Sequence, residues 1–187
     1  SVDAGTPEKF KEVRGRPRFF NVFENLQKYA SVDPKKVTIK YIFTDENKQE
    51  KELEAFVENC KKYNLEKCNY QISINFKKEK FDFDFLKSIT YLFVQLNKNN
   101  IKKVFLDDHI MLRFGSLNKL ELESLNKYLE EHNSQEIVLN PDKIDNLIIF
   151  GAGKIANEMI KKTNFFKNVK NFDLVDSDKN KIGKKVL

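Results

Sequence analysis

Between Pro17 and Ala30 apolar residues recur at steps of three and four, at Phe19, Val22, Phe23, Leu26 and Tyr29. That spacing lays one apolar stripe along a helix. Val37, Ile39, Tyr41 and Phe43 then alternate with Thr38, Lys40 and Ile42, which predicts a strand of β-branched and aromatic residues. The helical period returns from about Lys48 to Tyr63, with Leu53, Phe56, Val57, Cys60 and Tyr63 on one side. Asn47 stands where an N-cap belongs, and Glu50 follows three positions later. Alternation resumes at Tyr70, Ile72 and Ile74, within a strand from about Cys68 to Asn75. Phe85, Leu86, Ile89, Leu92, Phe93 and Leu96 mark a helix over Phe83 to Lys98. A short strand follows at Val104-Phe105-Leu106. A last helix, Ser116 to His132, places Leu117, Leu120, Leu125, Tyr128 and Leu129 on its apolar side.

Strand alternating with helix at this spacing predicts a parallel sheet built from right-handed crossovers. Asn133 to Asp142 is polar and contains Pro141, so a linker is placed at 134–144. Beyond it, Asp145 to Phe150 predicts a buried strand, Ile155 to Lys162 a helix, and Phe172 to Val175 a second strand. Between the first strand and the helix stands Gly151-x-Gly153-x-x-Ala156, and Asp176 ends the second strand. The first glycine suits a tight turn, the second lets a pyrophosphate approach the backbone, and the small Ala156 lets helix and strand pack closely. Asp176 is then placed to bind ribose hydroxyls. This second part resembles the first βαβ unit of a Rossmann-like domain, which implies NAD(P) or a nucleotide-sugar as ligand. The fold class expected is α/β: a partial (βα) barrel of parallel strands over 1–133, followed by that unit over 145–187.

Charge changes the picture little. Lys and Arg number 34 against 28 Asp and Glu, a net charge of +6. The lysines are spread along helices with acids beside them, as in Glu50-Lys51-Glu52, the pattern of a solvated face and not of a nucleic-acid groove. No apolar run reaches the roughly 20 residues that span a bilayer, so no membrane role is expected. Cys60 and Cys68 have no Cys-x-x-Cys or histidine partner, which disfavours a metal site within this chain. Cys60 falls on an apolar helix face as a small core residue, and reduced thiols fit a cytoplasmic setting.

The start of the chain carries the most specific wording. Ser1-Val2-Asp3-Ala4 predicts the end of a strand, and Gly5-Thr6-Pro7 leads into a helix whose first turn Pro7 suits. Such a strand end implies earlier strands upstream, so the chain is expected to be a piece of a larger protein. Ser-Val-Asp-Ala-Gly-Thr-Pro-Glu-x-Phe-x-x-x-Arg-Gly, followed by Phe20-Asn21-x-Phe23-Glu24-Asn25-Leu26, resembles the fourth strand and following helix of radical S-adenosylmethionine (radical SAM) enzymes. The resemblance covers about residues 1–80. It implies a parent enzyme in which a [4Fe–4S] cluster, held by an upstream Cys-x-x-x-Cys-x-x-Cys, cleaves S-adenosylmethionine reductively to a radical that attacks a small-molecule or sugar substrate. The cluster motif is absent here, so this chain by itself is expected to be inactive.

Under that resemblance Ser1 and Asp3 face the ribose of S-adenosylmethionine, since a hydroxyl and a carboxylate can hydrogen-bond its two hydroxyls. The alternative for Asp3 is a cap on the helix near Pro7. Arg14 is a candidate for the methionyl carboxylate, through bidentate pairing, with a surface salt bridge as the alternative. The loop Thr44-Asp45-Glu46-Asn47 would approach the adenine, although Asn47 and Glu50 also suit a helix start. Gln71, Ser73 and Asn75 share one strand face as a substrate-side set, opposite the packed Tyr70, Ile72 and Ile74. Asp107, Asp108 and His109 form an acid-and-imidazole group without a nucleophile in register; a helix cap or loop salt bridge is the reading favoured.

Overall fold

In the computed structural model of the protein, residues 1–75, 82–132, 146–150, 160, 161 and 171–175 are described, with 146–150 and 171–175 described by their backbone. The chain divides into two compact units, Ser1–Ile110 and Met111–Leu187. The second therefore includes the helix that precedes the expected linker as well as the strands that follow it. The linker at 134–144, Gly151, Gly153, Asp176 and all but Ile160 and Lys161 of the helix expected at 155–162 lie outside the described residues.

The first unit is mixed α/β. Helix α1 (Pro7–Arg14) and helix α2 (Phe19–Val32) precede strand β1 (Thr38–Phe43), then come α3 (Glu50–Lys62), β2 (Asn69–Ile74), α4 (Phe83–Lys98) and β3 (Val104–Leu106). The strands form one parallel sheet in the order β1-β2-β3. Ile39, Tyr41 and Phe43 lie beside Tyr70, Ile72 and Ile74 in register, and all six are buried. Their face meets the helix layer through aromatic contacts: Tyr41 with Phe56 of α3, Phe56 with Tyr70, and Phe43 with Phe85 of α4. Full burial of one such side chain contributes about 1.5–3 kcal/mol, so this seam contributes substantially to the unit's stability. A second aromatic chain, Phe10, Phe19, Phe23 and Tyr63, ties α1 and α2 to α3.

Two glycines are required here. A Cβ on Gly5 would collide with the backbone of Glu52 and Phe56, so only glycine lets the chain pass α3 this closely. Gly15 ends α1 with φ 71°, the left-handed conformation of a helix C-cap.

Helix α5 (Asp108–Gly115) carries the chain from the first unit into the second. The second unit contains α6 (Lys119–Glu131), which opens on a full capping box: Asn118 accepts from the Glu121 N–H at 2.9 Å, and Glu121 accepts from the Asn118 N–H at 3.0 Å. Strands β4 (Asn146–Phe150) and β5 (Asn171–Val175) pair in parallel, from Asn146 beside Asn171 to Phe150 beside Val175.

Several expectations need correction. Tyr29 and Leu120, placed on apolar helix faces by their spacing, are 66% and 76% exposed; period alone does not say how far a stripe is covered. Helix α5 was not expected at Asp108–Gly115, being too short to show a periodic pattern, although a helix cap was among the readings favoured for Asp107 to His109. Ser1 to Ala4 form no strand. Val2 donates to the Lys40 carbonyl at 2.9 Å, but Asp3 then takes φ 61°, which turns the backbone out of ladder geometry after a single bond.

Candidate functional site

Asp3 replaces the lost backbone partner with its side chain: Ile42 N–H donates to Asp3 Oδ1 at 2.8 Å. The carboxylate thereby sits at the carboxyl end of β1, where ligands of parallel α/β sheets bind. Its other oxygen, Oδ2, lies 3.4 Å from Arg14 Nη1. Arg14 Nη2 donates to the Ser1 hydroxyl at 2.8 Å and to the Ser1 carbonyl at 3.2 Å. The three residues singled out from the sequence are thus brought together, by α1 folding back beside the segment that precedes it. Asp3 is 2% exposed, and burial raises its carboxyl above the ordinary value, against the opposing pull of the Ile42 N–H, the Arg14 charge and the Ser1 hydroxyl.

Asp3 does not cap α1. Thr6 does, its hydroxyl accepting from Lys9 N–H at 3.3 Å. Glu52 of α3 anchors the same turn, accepting from Gly5 N–H at 3.0 Å, Thr6 N–H at 3.2 Å and the Thr6 hydroxyl at 2.7 Å. No local pattern marks Glu52 for this role, since its partners stand more than forty positions earlier in the chain.

Asn47 is likewise not the N-cap of α3. Gln49 occupies that position, with Glu50 as the first helical residue. Asn47 is fully buried, and its amide nitrogen donates to the carbonyls of Asp3 and Ile42, both at 2.9 Å. Its amide oxygen accepts from Thr44 N–H at 2.8 Å, and its own carbonyl accepts from the Tyr41 hydroxyl at 2.8 Å. Burial with complete hydrogen bonding is the condition under which a polar side chain is tolerated in a core.

Of the expected polar set on β2, Ser73 is completely buried, whereas Gln71 and Asn75 are half-buried. The hydroxyls of Ser73 and Thr44 have no hydrogen-bond partner among the described residues. Ser73 is the register neighbour of Ile42, so both open hydroxyls lie near the strand end that Asp3 holds. On the other side of β2, Asp107 Oδ2 accepts from Ile74 N–H at 3.2 Å and Oδ1 accepts from Ile110 N–H at 3.0 Å. Asp107 is therefore the cap of α5, as its position suggests.

Ser1 and Asp3 provide a hydroxyl and a carboxylate with lone pairs in reserve, and Thr44 and Ser73 add unpartnered hydroxyls. Among the described residues no three His, Cys, Asp or Glu side chains gather as metal ligands. Cys60 and Cys68 are buried and unpaired, and burial pushes the Cys60 thiol up to about 12, far from the thiolate that a cluster requires. The described residues thus do not suit a [4Fe–4S] cluster.

Among the described residues no helix is long and apolar enough to cross a membrane. No family model, curated protein or solved structure matches the chain.

Proposed function

We propose that residues 1–110 form part of a radical SAM-type (βα) barrel and supply one wall of its S-adenosylmethionine site, with Ser1 and Asp3 toward the ribose and Arg14 toward the methionyl carboxylate. The observation that carries this reading is the convergence of those three side chains at the carboxyl end of a parallel sheet. Arg14 holds Ser1 and Asp3 in the free protein and would turn from them to a ligand carboxylate, a better bidentate partner. The cluster and the radical chemistry belong to a part of the parent enzyme other than the residues described. A reducing, cytoplasmic setting accords with two buried free thiols.

The test is calorimetric titration of the 187-residue protein with S-adenosylhomocysteine, which needs no cluster to bind. Saturable binding that weakens about tenfold in Asp3→Asn, through loss of one carboxylate acceptor, supports the reading. Absence of saturable binding by the unaltered protein removes it.

A second reading has its own support. β4 and β5 pair in parallel over five residues, which requires a crossover between them, and their paired ends Phe150 and Val175 are followed in sequence by Gly151 and Asp176. We infer a Rossmann-like unit that binds NAD(P) or a nucleotide-sugar through Gly151, Gly153 and Asp176 without catalysis of its own. Titration with NAD, NADP and UDP-sugars tests it: binding abolished by Gly153→Asp supports the unit, and binding untouched by that substitution rejects it.

A further inference from the structure

We propose that Asn47 is the positioning residue of the Asp3 site, holding the segment Ser1–Ala4 against β1 so that the Asp3 carboxylate meets the strand end at one fixed place. The inference rests on the reading of Ser1, Asp3 and Arg14 as a ligand wall.

Among the described residues Val2 N–H donates to the Lys40 carbonyl, and the left-handed φ of Asp3 then takes the backbone out of ladder geometry. Side-chain bonds tie Ile42 N–H to the Asp3 carboxylate and Arg14 to Ser1, but neither restrains the Asp3 carbonyl. Asn47 restrains it. Its amide nitrogen bridges the Asp3 and Ile42 carbonyls, one on each side of the gap, while its amide oxygen and its own carbonyl are fixed by Thr44 and by the Tyr41 hydroxyl. All four partners are neighbours of the site, and Asn47 touches it through the backbone of Asp3, leaving the carboxylate for Ile42 N–H and Arg14.

Asn47→Asp separates the two functions of the side chain. Aspartate keeps the oxygen that accepts from Thr44 N–H and loses the donors to Asp3 and Ile42. Amide hydrogen exchange by NMR reads the result residue by residue. Exchange of the Ile42 amide, which is bonded to the Asp3 carboxylate, is expected to speed up about tenfold. The Thr44 amide and the Tyr70 amide, which donates to the Lys103 carbonyl at 2.7 Å on the far side of β2, keep their protection. S-adenosylhomocysteine affinity falls in parallel with Ile42 protection. An unchanged Ile42 amide, or equal acceleration at Ile42 and Tyr70 as in general loosening, overturns the inference. Should Asn47→Asp fail to fold, Asn47→Ala is read at the same amides: acceleration at Ile42 and Thr44 with Tyr70 unchanged supports positioning, and any other pattern refutes it. Failure of the unaltered protein to bind S-adenosylhomocysteine removes the ligand reading alone, because the exchange pattern is measured without ligand.

Discussion

Arg14 Nη1 stands 3.4 Å from Asp3 Oδ2, a pairing in which the acid is 3% exposed and the base 40%. Removing the base leaves a buried carboxylate uncompensated. Loss of one partner from a fully buried pair costs about 3–5 kcal/mol, but water screens the exposed guanidinium. Arg14→Ala is therefore expected to lower stability by about 1–2 kcal/mol at neutral pH, measured by urea unfolding.

Asp3 also gives the molecule a pH signature. Burial raises its carboxyl above the ordinary 3.8, so the folded state binds this proton more tightly than the unfolded chain does. The contribution of Asp3 to stability is thus greatest below the unfolded value and declines as pH rises through the raised one. Comparing Asp3→Asn with the unaltered protein across about pH 3 to 7 isolates it. The difference in unfolding free energy should shift toward the variant as pH rises, and a shift in the opposite sense would mean that Arg14 and the Ile42 N–H outweigh desolvation.

Glu52 and Thr6 belong to one network, and their substitutions should not add. Glu52→Gln keeps one oxygen for the Gly5 and Thr6 N–H groups, turns its N–H toward the Thr6 hydroxyl and removes the charge that strengthens all three bonds, with an expected cost of about 1–2 kcal/mol. For a chain of this size each kcal/mol lowers Tm by about 2–4 °C. Thr6→Val made on top of Glu52→Gln should cost less than Thr6→Val alone, a coupling that a double-mutant cycle reads directly.

The two required glycines should fail for different reasons. Gly5→Ala forces α1 and α3 apart against rigid backbone, with a loss of about 1–3 kcal/mol. Gly15 has open space but φ 71°, so Gly15→Ala costs about 1 kcal/mol of conformational strain. Calorimetric melts of the two variants should show the larger Tm loss for Gly5→Ala.

Cys60 and Cys68 should both resist iodoacetamide in the native protein at neutral pH. Burial raises both thiols, which suppresses the thiolate nucleophile and blocks access to it. Mass spectrometry after alkylation should find neither modified in buffer and both modified in urea. Labelling of Cys68 in buffer would show that its surroundings open in the native state.

The sequence by itself determined the alternation of strand and helix from α2 to α4 and most of the inward faces: Ile39, Tyr41 and Phe43 on one strand and Leu53, Phe56, Val57 and Cys60 on one helix were legible as periods of two and 3.6, because such faces follow from local backbone geometry. It also marked Ser1, Asp3 and Arg14 as candidates through their wording, and left Asp107 to His109 between a helix cap and a loop salt bridge, a choice that α5 decided. The tertiary structure alone decided that Asp3 substitutes its carboxylate for a missing ladder carbonyl, that Arg14 closes on it, that Glu52 anchors Gly5 and Thr6, and that Asn47 turns inward to bridge Asp3 and Ile42 where local rules made it a helix cap. Each of these is a hydrogen bond or ion pair between residues brought together by packing of α1 and α3 around β1. Asn47 has the same composition-level signature as any cap; only the presence of Asp3 across the fold, offering a carbonyl to a buried amide that must be satisfied, selects the other use.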